Sequence, residues 1–381
     1  MKLIDREKCT GCAACANSCA TGAIVMAPDK EGFLFPEIDT HRCIECGNCI
    51  ASCPHFTRKD RDRHPICYAA KARSNEIVKS SSSGGVFTLL CEYVIAQKGI
   101  VFGAAYNHQL CVSHIAVDNL GDIHRLRGSK YVQSDLGHAY CEVKQALSVN
   151  RLVLFSGTPC QIAGLRAYLK VSYSNLVTME VICHGVPPAK LFDRLKNELE
   201  VAHGKLEAIS FRDKSLGWRH RVIAGWYSGR MKVIEEGSLA DYFRAFLAGL
   251  SLRKSCEKCQ FKSGRSGADI TLGDFWGIEN VAPELDDDDG VSAVILHTSK
   301  GQKIFESIDC HRKSVRLSDI TIANPSYSEK RAYSKSRDVF MSQVYEKGIS
   351  GAFSGCHVPC QRSLIGRLKI KILKLISGYG R

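Results

Sequence analysis

Four cysteines spaced CxxCxxCxxxC stand near the start of the chain, Cys9, Cys12, Cys15 and Cys19, and the same spacing returns 34 positions later as Cys43, Cys46, Cys49 and Cys53. No other feature restricts the fold so tightly. Three thiolates on one short loop converge on a four-iron cubane. The fourth, on the helix that follows, reaches the second cubane when two such loops pack together. The repeat predicts two [4Fe-4S] clusters, one held by Cys9, Cys12, Cys15 and Cys53 and the other by Cys43, Cys46, Cys49 and Cys19. Zinc sites use two separated CxxC pairs rather than a run of four, so a zinc reading is set aside.

This is the spacing of bacterial two-cluster ferredoxins, which places an α+β ferredoxin-like domain at residues 1–62. Gly11 and Gly47 loosen the two loops, and Pro54 follows the last cysteine as it does in the bacterial pattern. Ala20 stands at the matching place in the first copy, where no ligand is lost. The chain holds 19 cysteines. With charged residues from Lys2 to Lys8 where a signal peptide would need an apolar core, those cysteines point to metal ligation and not to disulfides. No apolar run is long enough for a membrane span, and the expected location is the cytoplasm.

The formal charge of +13 suggests nucleic acid at first sight. Residues 1–64 carry nine basic and nine acidic side chains, so the surplus lies in the rest of the chain. Each thiolate-ligated cubane adds roughly −2, and three would bring the total to about +7. No binding motif accompanies the charge, and no nucleic-acid partner is expected.

The stretch from Arg58 to His64 is charged and reads as a linker or docking edge. Beyond it, apolar runs alternate with helix-like stretches, the pattern of an α/β domain over residues 63–330. Strands are expected at 152–155 and 176–182, each turning into a helix, at 161–169 and 189–202. Pro187 is read as a first helical residue. Residues 331–381 form a helical extension. The fold class is therefore α/β, an α+β ferredoxin-like domain followed by a larger α/β domain.

Cys160 and Cys183 each lie just past an expected strand and before a helix, positions that emerge on one edge of a parallel sheet. With Cys256 and Cys259 they make either a four-thiolate set or four independent core cysteines, and spacing alone leaves both open. Two stretches bear on a flavin. Ser81–Gly85 opens onto an amphipathic helix marked by Val86, Leu89, Leu90, Tyr93 and Val94, and a helix N-terminus binds phosphate. An ordinary Ser/Gly cap would read the same way. Gly128, Ser129, Lys130 and Tyr131 supply backbone freedom, a cation and an aromatic ring, although a solvated turn has the same composition. No GxGxxG is present, which argues against a Rossmann-type nicotinamide site.

Five stretches in order carry a resemblance: Ser82–Val86, Gly128–Ser134, Gly157–Leu165, Cys183–Pro187 and Ala268–Gly277. Together they resemble the coenzyme F420 hydrogenase/dehydrogenase beta-subunit family across roughly residues 66–300. The resemblance implies an oxidoreductase with FAD and a further [4Fe-4S] cluster held by Cys160, Cys183, Cys256 and Cys259. It implies FAD contacts from Ser83, Gly84, Gly85, Gly128, Ser129, Lys130 and Tyr131. Similar proteins with a fused ferredoxin also occur in bacterial surface-polysaccharide loci. The expected activity moves electrons between a ferredoxin-type partner and an organic substrate through the clusters and FAD. A non-catalytic relay subunit of a larger dehydrogenase or hydrogenase complex is the alternative, and no catalytic residue is identified.

Three further stretches are weaker. Phe211–Lys214 with Trp218–His220 is read as an anionic-substrate lining or a solvated hairpin, and Asp286–Asp289 as a solvated loop lacking calcium-site spacing. Cys67, Cys91, Cys111, Cys141, Cys310, Cys356 and Cys360 show no ligand spacing. From Ser363 to Ile376 the pattern is a basic amphipathic helix, suited to peripheral contact with an anionic membrane or to docking on the protein's own core.

Overall fold

The computed structural model describes residues 3–57, 64–220, 222–233, 237–328 and 334–357. The expected tail helix and Cys360 lie outside these residues, as does most of the expected linker. In the N-terminal module a hairpin of β1 (Ile24–Pro28) and β2 (Leu34–Ile38) separates two cysteine loops. Each loop runs into one short helical turn, Ala14–Asn17 or Asn48–Ala51.

The rest is built on a mixed sheet of eight strands. Its parallel core consists of β4 (Ile100–Tyr106), β6 (Val153–Gly157), β7 (Leu176–Val181) and β11 (Ile270–Asp274). An antiparallel strand, β5 (Val112–Val117), closes one side. On the other side lie β12 (Ser292–Leu296), β3 (Ile66–Ala72) and β13 (Cys310–Val315), each antiparallel to its neighbour. Val153, Leu154 and Phe155 are fully buried, as expected of a parallel strand covered on both faces. A second sheet contains β8 (Leu206–Asp213), β9 (Val222–Tyr227) and β10 (Arg230–Val233).

The longer helices are α1 (Val86–Ala96), α2 (Ala139–Ser148), α3 (Pro159–Leu169), α4 (Ala189–His203), α5 (Ser238–Leu247) and α6 (Arg337–Gly351). Both expected strand–helix units are present, and both helices fall where the pattern places them. Pro187 is outside α4, however, which begins at Ala189 with Pro188 as its extended N-cap. Pro187 precedes another proline, and the ring of the second disfavours helical angles at the first.

The module does not stand apart from the sheet domain. Cys9, Phe33 and Phe35 share a core with Leu191, Phe192 and Phe340. Cys12, Ala13 and Ala14 share another with Phe102, Tyr140 and Leu165. Helix α6 locks this arrangement: buried Arg337 donates to both carboxylate oxygens of Glu31 at 3.2 and 2.6 Å, and the Tyr345 hydroxyl donates to the Glu31 carbonyl at 2.6 Å. Among the described residues, no helix is long and apolar enough to cross a membrane.

Candidate functional site

The 34-residue repeat extends to backbone conformation. Gly11 and Ala13 take left-handed angles, φ 67° and 55°, and 34 positions on Glu45 and Gly47 do the same, φ 54° and 75°. Each loop therefore curls in the same way. Glycine occupies a different one of the two left-handed places in each copy, and the other is filled at the steric cost of a Cβ.

One cavity is lined by Cys9, Cys12, Cys15 and Cys53, with Cys49 also on its wall. A second is lined by Cys19, Cys43, Cys46 and Cys49. The fourth cysteine of each run is thus at the other run's cavity. Burial pushes the Cys12 thiol up to about 12, and the neighbouring charges of Cys9 and Cys53 add to it. Burial likewise raises Cys53, with Cys9 and Cys49 reinforcing it. Among the described residues no three His, Cys, Asp or Glu side chains are placed to hold a single metal ion.

The carboxyl ends of β6 and β7 bring the other thiols together. Thr158 caps α3, its N–H donating to Gln161 Oε1 at 2.8 Å, and Pro159 supplies a preset first residue, so Cys160 rides on the first turn. Cys183 follows β7 across the sheet edge. Cys256 sits in the helical turn Lys254–Glu257, and the Cys259 N–H donates back to the Cys256 carbonyl at 3.4 Å. Burial raises Cys160 well above the ordinary thiol range, with charges on Cys259, Cys183 and Cys256 adding to it. It raises Cys183 to about 12 and Cys256 to about 11. All four thiols therefore lie within electrostatic reach of one another, in surroundings where a thiolate needs a cation.

Arg253 ties this set to the module. It is buried, and its guanidinium donates to the Cys9 carbonyl at 2.8 Å, the Leu34 carbonyl at 3.0 Å and Gln133 Oε1 at 3.2 Å. It also lies over the Phe35 ring at 4.1 Å, while its own carbonyl accepts from the Cys256 N–H at 2.9 Å. Sequence reading missed it, because nothing around Arg253 marks one arginine among 52 basic residues as buried.

The two flavin stretches meet: the Ser129 N–H donates to Ser82 Oγ at 2.9 Å. Arg127 reaches across them, donating to Ser80 Oγ at 3.0 Å and to Thr88 Oγ1 on the first turn of α1 at 3.1 Å. Ser83 and Gly84 are stitched to the sheet, through the Val291 carbonyl at 2.7 Å and Ser292 Oγ at 3.1 Å. A Cβ on Gly84 would come within 2.5 Å of the Ala70 carbonyl, and Gly85 supplies a left-handed N-cap at φ 86°. Lys130 turns inward, its amine donating to the Arg127 carbonyl at 2.8 Å and the Gly128 carbonyl at 3.1 Å, and burial lowers it to about 7. Tyr131 packs edge-on against Phe211, Phe243 and Phe246. A cation and serine hydroxyls beside a helix N-terminus suit a diphosphate, and Arg127 stands there beside Ser80 and Thr88.

Neither the hairpin nor the acidic loop is simply solvated. Phe211, Arg212 and Trp218 are buried, Arg212 pairs with Asp274 at 3.1 Å, and Trp218 stacks on Trp276 at 4.5 Å. Lys214 donates to the carbonyls of Val78, Ser83 and Asp289 at 2.6–2.7 Å, and burial lowers it to about 8. Asp287 pairs with buried Lys71, and Asp286 and Asp288 pair with Arg219. The loop is drawn in because it answers Lys71, which the sheet edge buries, and the more exposed Arg219. Cys67, Cys91 and Cys310 are core residues, whereas Cys111 is exposed.

A family model for the carboxyl-terminal part of the coenzyme F420 hydrogenase/dehydrogenase beta subunit matches residues 150–321, and one described as "4Fe-4S dicluster domain" matches residues 8–57. An uncharacterized ferredoxin of Methanocaldococcus jannaschii is 35% identical over 52 residues, which span 14% of this chain and 66% of that protein, just under two thirds. A chain of the xenon-derivatized F420-reducing [NiFe] hydrogenase complex from Methanosarcina barkeri superposes with TM-score 0.45 and 16% identity. It covers 78% of this chain and 94% of its own length, a likeness too loose to carry an argument.

Proposed function

We propose that this chain, whose residues 150–321 match the family model for the carboxyl-terminal part of the coenzyme F420 hydrogenase/dehydrogenase beta subunit and whose residues 8–57 match a 4Fe-4S dicluster domain, is an FAD-dependent oxidoreductase with three [4Fe-4S] clusters. It moves electrons between a ferredoxin-type protein and an organic substrate. The observation that carries this reading is the gathering of Cys160, Cys183, Cys256 and Cys259 at the sheet edge, in surroundings that raise three of these thiols. When bound, the clusters carry single electrons and FAD converts between one-electron and two-electron chemistry.

The chain's own residues supply the setting. Twelve cysteines would hold the iron, and Arg253 fixes the Cys9 loop against the Cys256 loop. Arg127 with Ser80 and Ser82 would hold the FAD diphosphate at the start of α1, and Ser83, Gly84, Gly85, Gly128 and Ser129 would shape the backbone around it. Lys130 and Tyr131 would support that loop from inside the protein. Cys46 is exposed, so a protein partner can approach the outer cavity directly. Resemblance to ferredoxin-fused proteins of surface-polysaccharide loci makes a sugar-linked compound the first substrate to test.

The test is anaerobic purification followed by iron, sulfide and flavin analysis, with stopped-flow bleaching of the flavin by reduced ferredoxin and by reduced F420. About 12 iron atoms per chain, one FAD and faster bleaching by ferredoxin are expected. Faster bleaching by F420 would reverse the donor assignment, and clusters without flavin would leave a relay subunit.

A further inference from the structure

Helix α3 carries Cys160 on its first turn and Gly164 four residues later, about 6 Å along the axis. Glycine inside a helix lowers stability relative to alanine. Here no left-handed angle calls for it, since Gly164 is absent from the glycines with positive φ. Space calls for it instead. A Cβ at Gly164 would lie 3.0 Å from both Cβ and Sγ of Cys12 and 2.9 Å from the Tyr140 hydroxyl.

Neither neighbour can move away freely. Cys12, Ala13 and Ala14 are inserted into the sheet domain's core beside Ile162 and Leu165. Tyr140 is fully buried, its hydroxyl donates to the Gln161 carbonyl at 2.7 Å, and its ring packs on Phe155. The Tyr140 hydroxyl, raised chiefly by burial, also feels the charges of Cys12, Cys160 and Cys15, so both thiol sets lie within its electrostatic reach. The Cys19–Cys43–Cys46–Cys49 cavity, by contrast, has exposed Cys46 in its lining.

We propose that Gly164 is a positioning residue: its missing side chain lets Cys12 rest on the helix that carries Cys160, so the inner ferredoxin set, and not the outer one, adjoins the third. Electron tunnelling falls exponentially with separation, so this contact decides whether the ferredoxin module and the sheet domain act as one redox unit. The inference rests on the third cluster proposed above.

The experiment uses the anaerobically purified full chain, reduced with dithionite and examined by electron paramagnetic resonance alongside iron analysis. Three variants are compared with the unchanged protein: Cys160→Ser, Gly164→Ala and Gly164→Leu. With about 12 iron atoms per chain, the N-terminal signal is expected to be split and broadened by a neighbouring spin. It should simplify in Cys160→Ser, which loses the third cluster. Gly164→Leu should keep its iron and lose that interaction, with Gly164→Ala intermediate. An N-terminal signal identical in the unchanged protein and Cys160→Ser would overturn the inference even if no Gly164 variant folds. A Gly164→Leu protein with full iron and unaltered splitting would overturn it as well. About 8 iron atoms in the unchanged protein would instead remove the third cluster itself, a failure of the proposed function that iron analysis alone detects.

Discussion

The two kinds of thiol set in this protein are assembled by opposite means. Those of the N-terminal module come from two short loops whose left-handed residues repeat at the same interval as their cysteines. The set at the sheet edge draws on Cys160, Cys183, Cys256 and Cys259, spread across nearly 100 residues and united because β6 and β7 run parallel side by side and the Arg253 N–H, beside the Cys256 turn, donates to the Val186 carbonyl at 3.0 Å. One is a property of local backbone and the other of sheet topology. A single substitution should therefore injure the first set where it stands, whereas the second depends on everything that fixes the sheet edge and what is docked on it.

The sharpest way to break this comparison is Cys160→Ser, expected to remove about four of about 12 iron atoms while the N-terminal clusters persist. Iron and sulfide analysis with electron paramagnetic resonance decides it, and loss of all iron would show that the two kinds of set are not separable. Arg337→Ala comes next. It strands Glu31 beside the β1–β2 turn, and breaking such a buried pair costs about 3–4 kcal/mol. The expected result is a lower thermal midpoint and faster proteolysis near residue 31, with iron content unchanged.

Arg253→Met keeps the bulk and removes the guanidinium, leaving the Cys9 and Leu34 carbonyls without their donor at a cost of about 2–3 kcal/mol. Because the guanidinium holds the Cys9 loop while the Arg253 carbonyl still accepts from the Cys256 N–H, denaturant unfolding should show the loss, and iron should be released from the Cys9 set before the sheet-edge set. A further test is pH. Burial favours the neutral thiol, so the iron-free fold is stabilised fully below the ordinary thiol value of 9.0 and loses that stability as pH rises towards about 12 for Cys12 and Cys183. Iron uptake runs the other way, since it removes those protons. Chelator competition should show apparent affinity rising with pH between neutrality and 9, about tenfold per unit for each proton released. A flat profile would mean that the apo thiols are already ionised.

The sequence by itself determined whatever depends on near neighbours. The CxxCxxCxxxC runs fix their own loops, Thr158 and Pro159 start α3, and apolar periodicity sets the extents of α3 and α4, because a helix or a tight loop answers to residues a few positions away. It also exposed the edge positions of Cys160 and Cys183, since a strand–turn–helix unit has a readable period. Only the tertiary structure decided which charges are buried and which surfaces touch. Lys130 caps carbonyls of its own loop, while Arg127, three residues earlier, reaches the start of α1. Arg253, Tyr140 and Gly164 matter through partners more than 100 residues away in sequence. The physical reason is that burial and close approach depend on how the ferredoxin module seats on the sheet domain, and no local pattern encodes the space between two surfaces that meet only after both have folded.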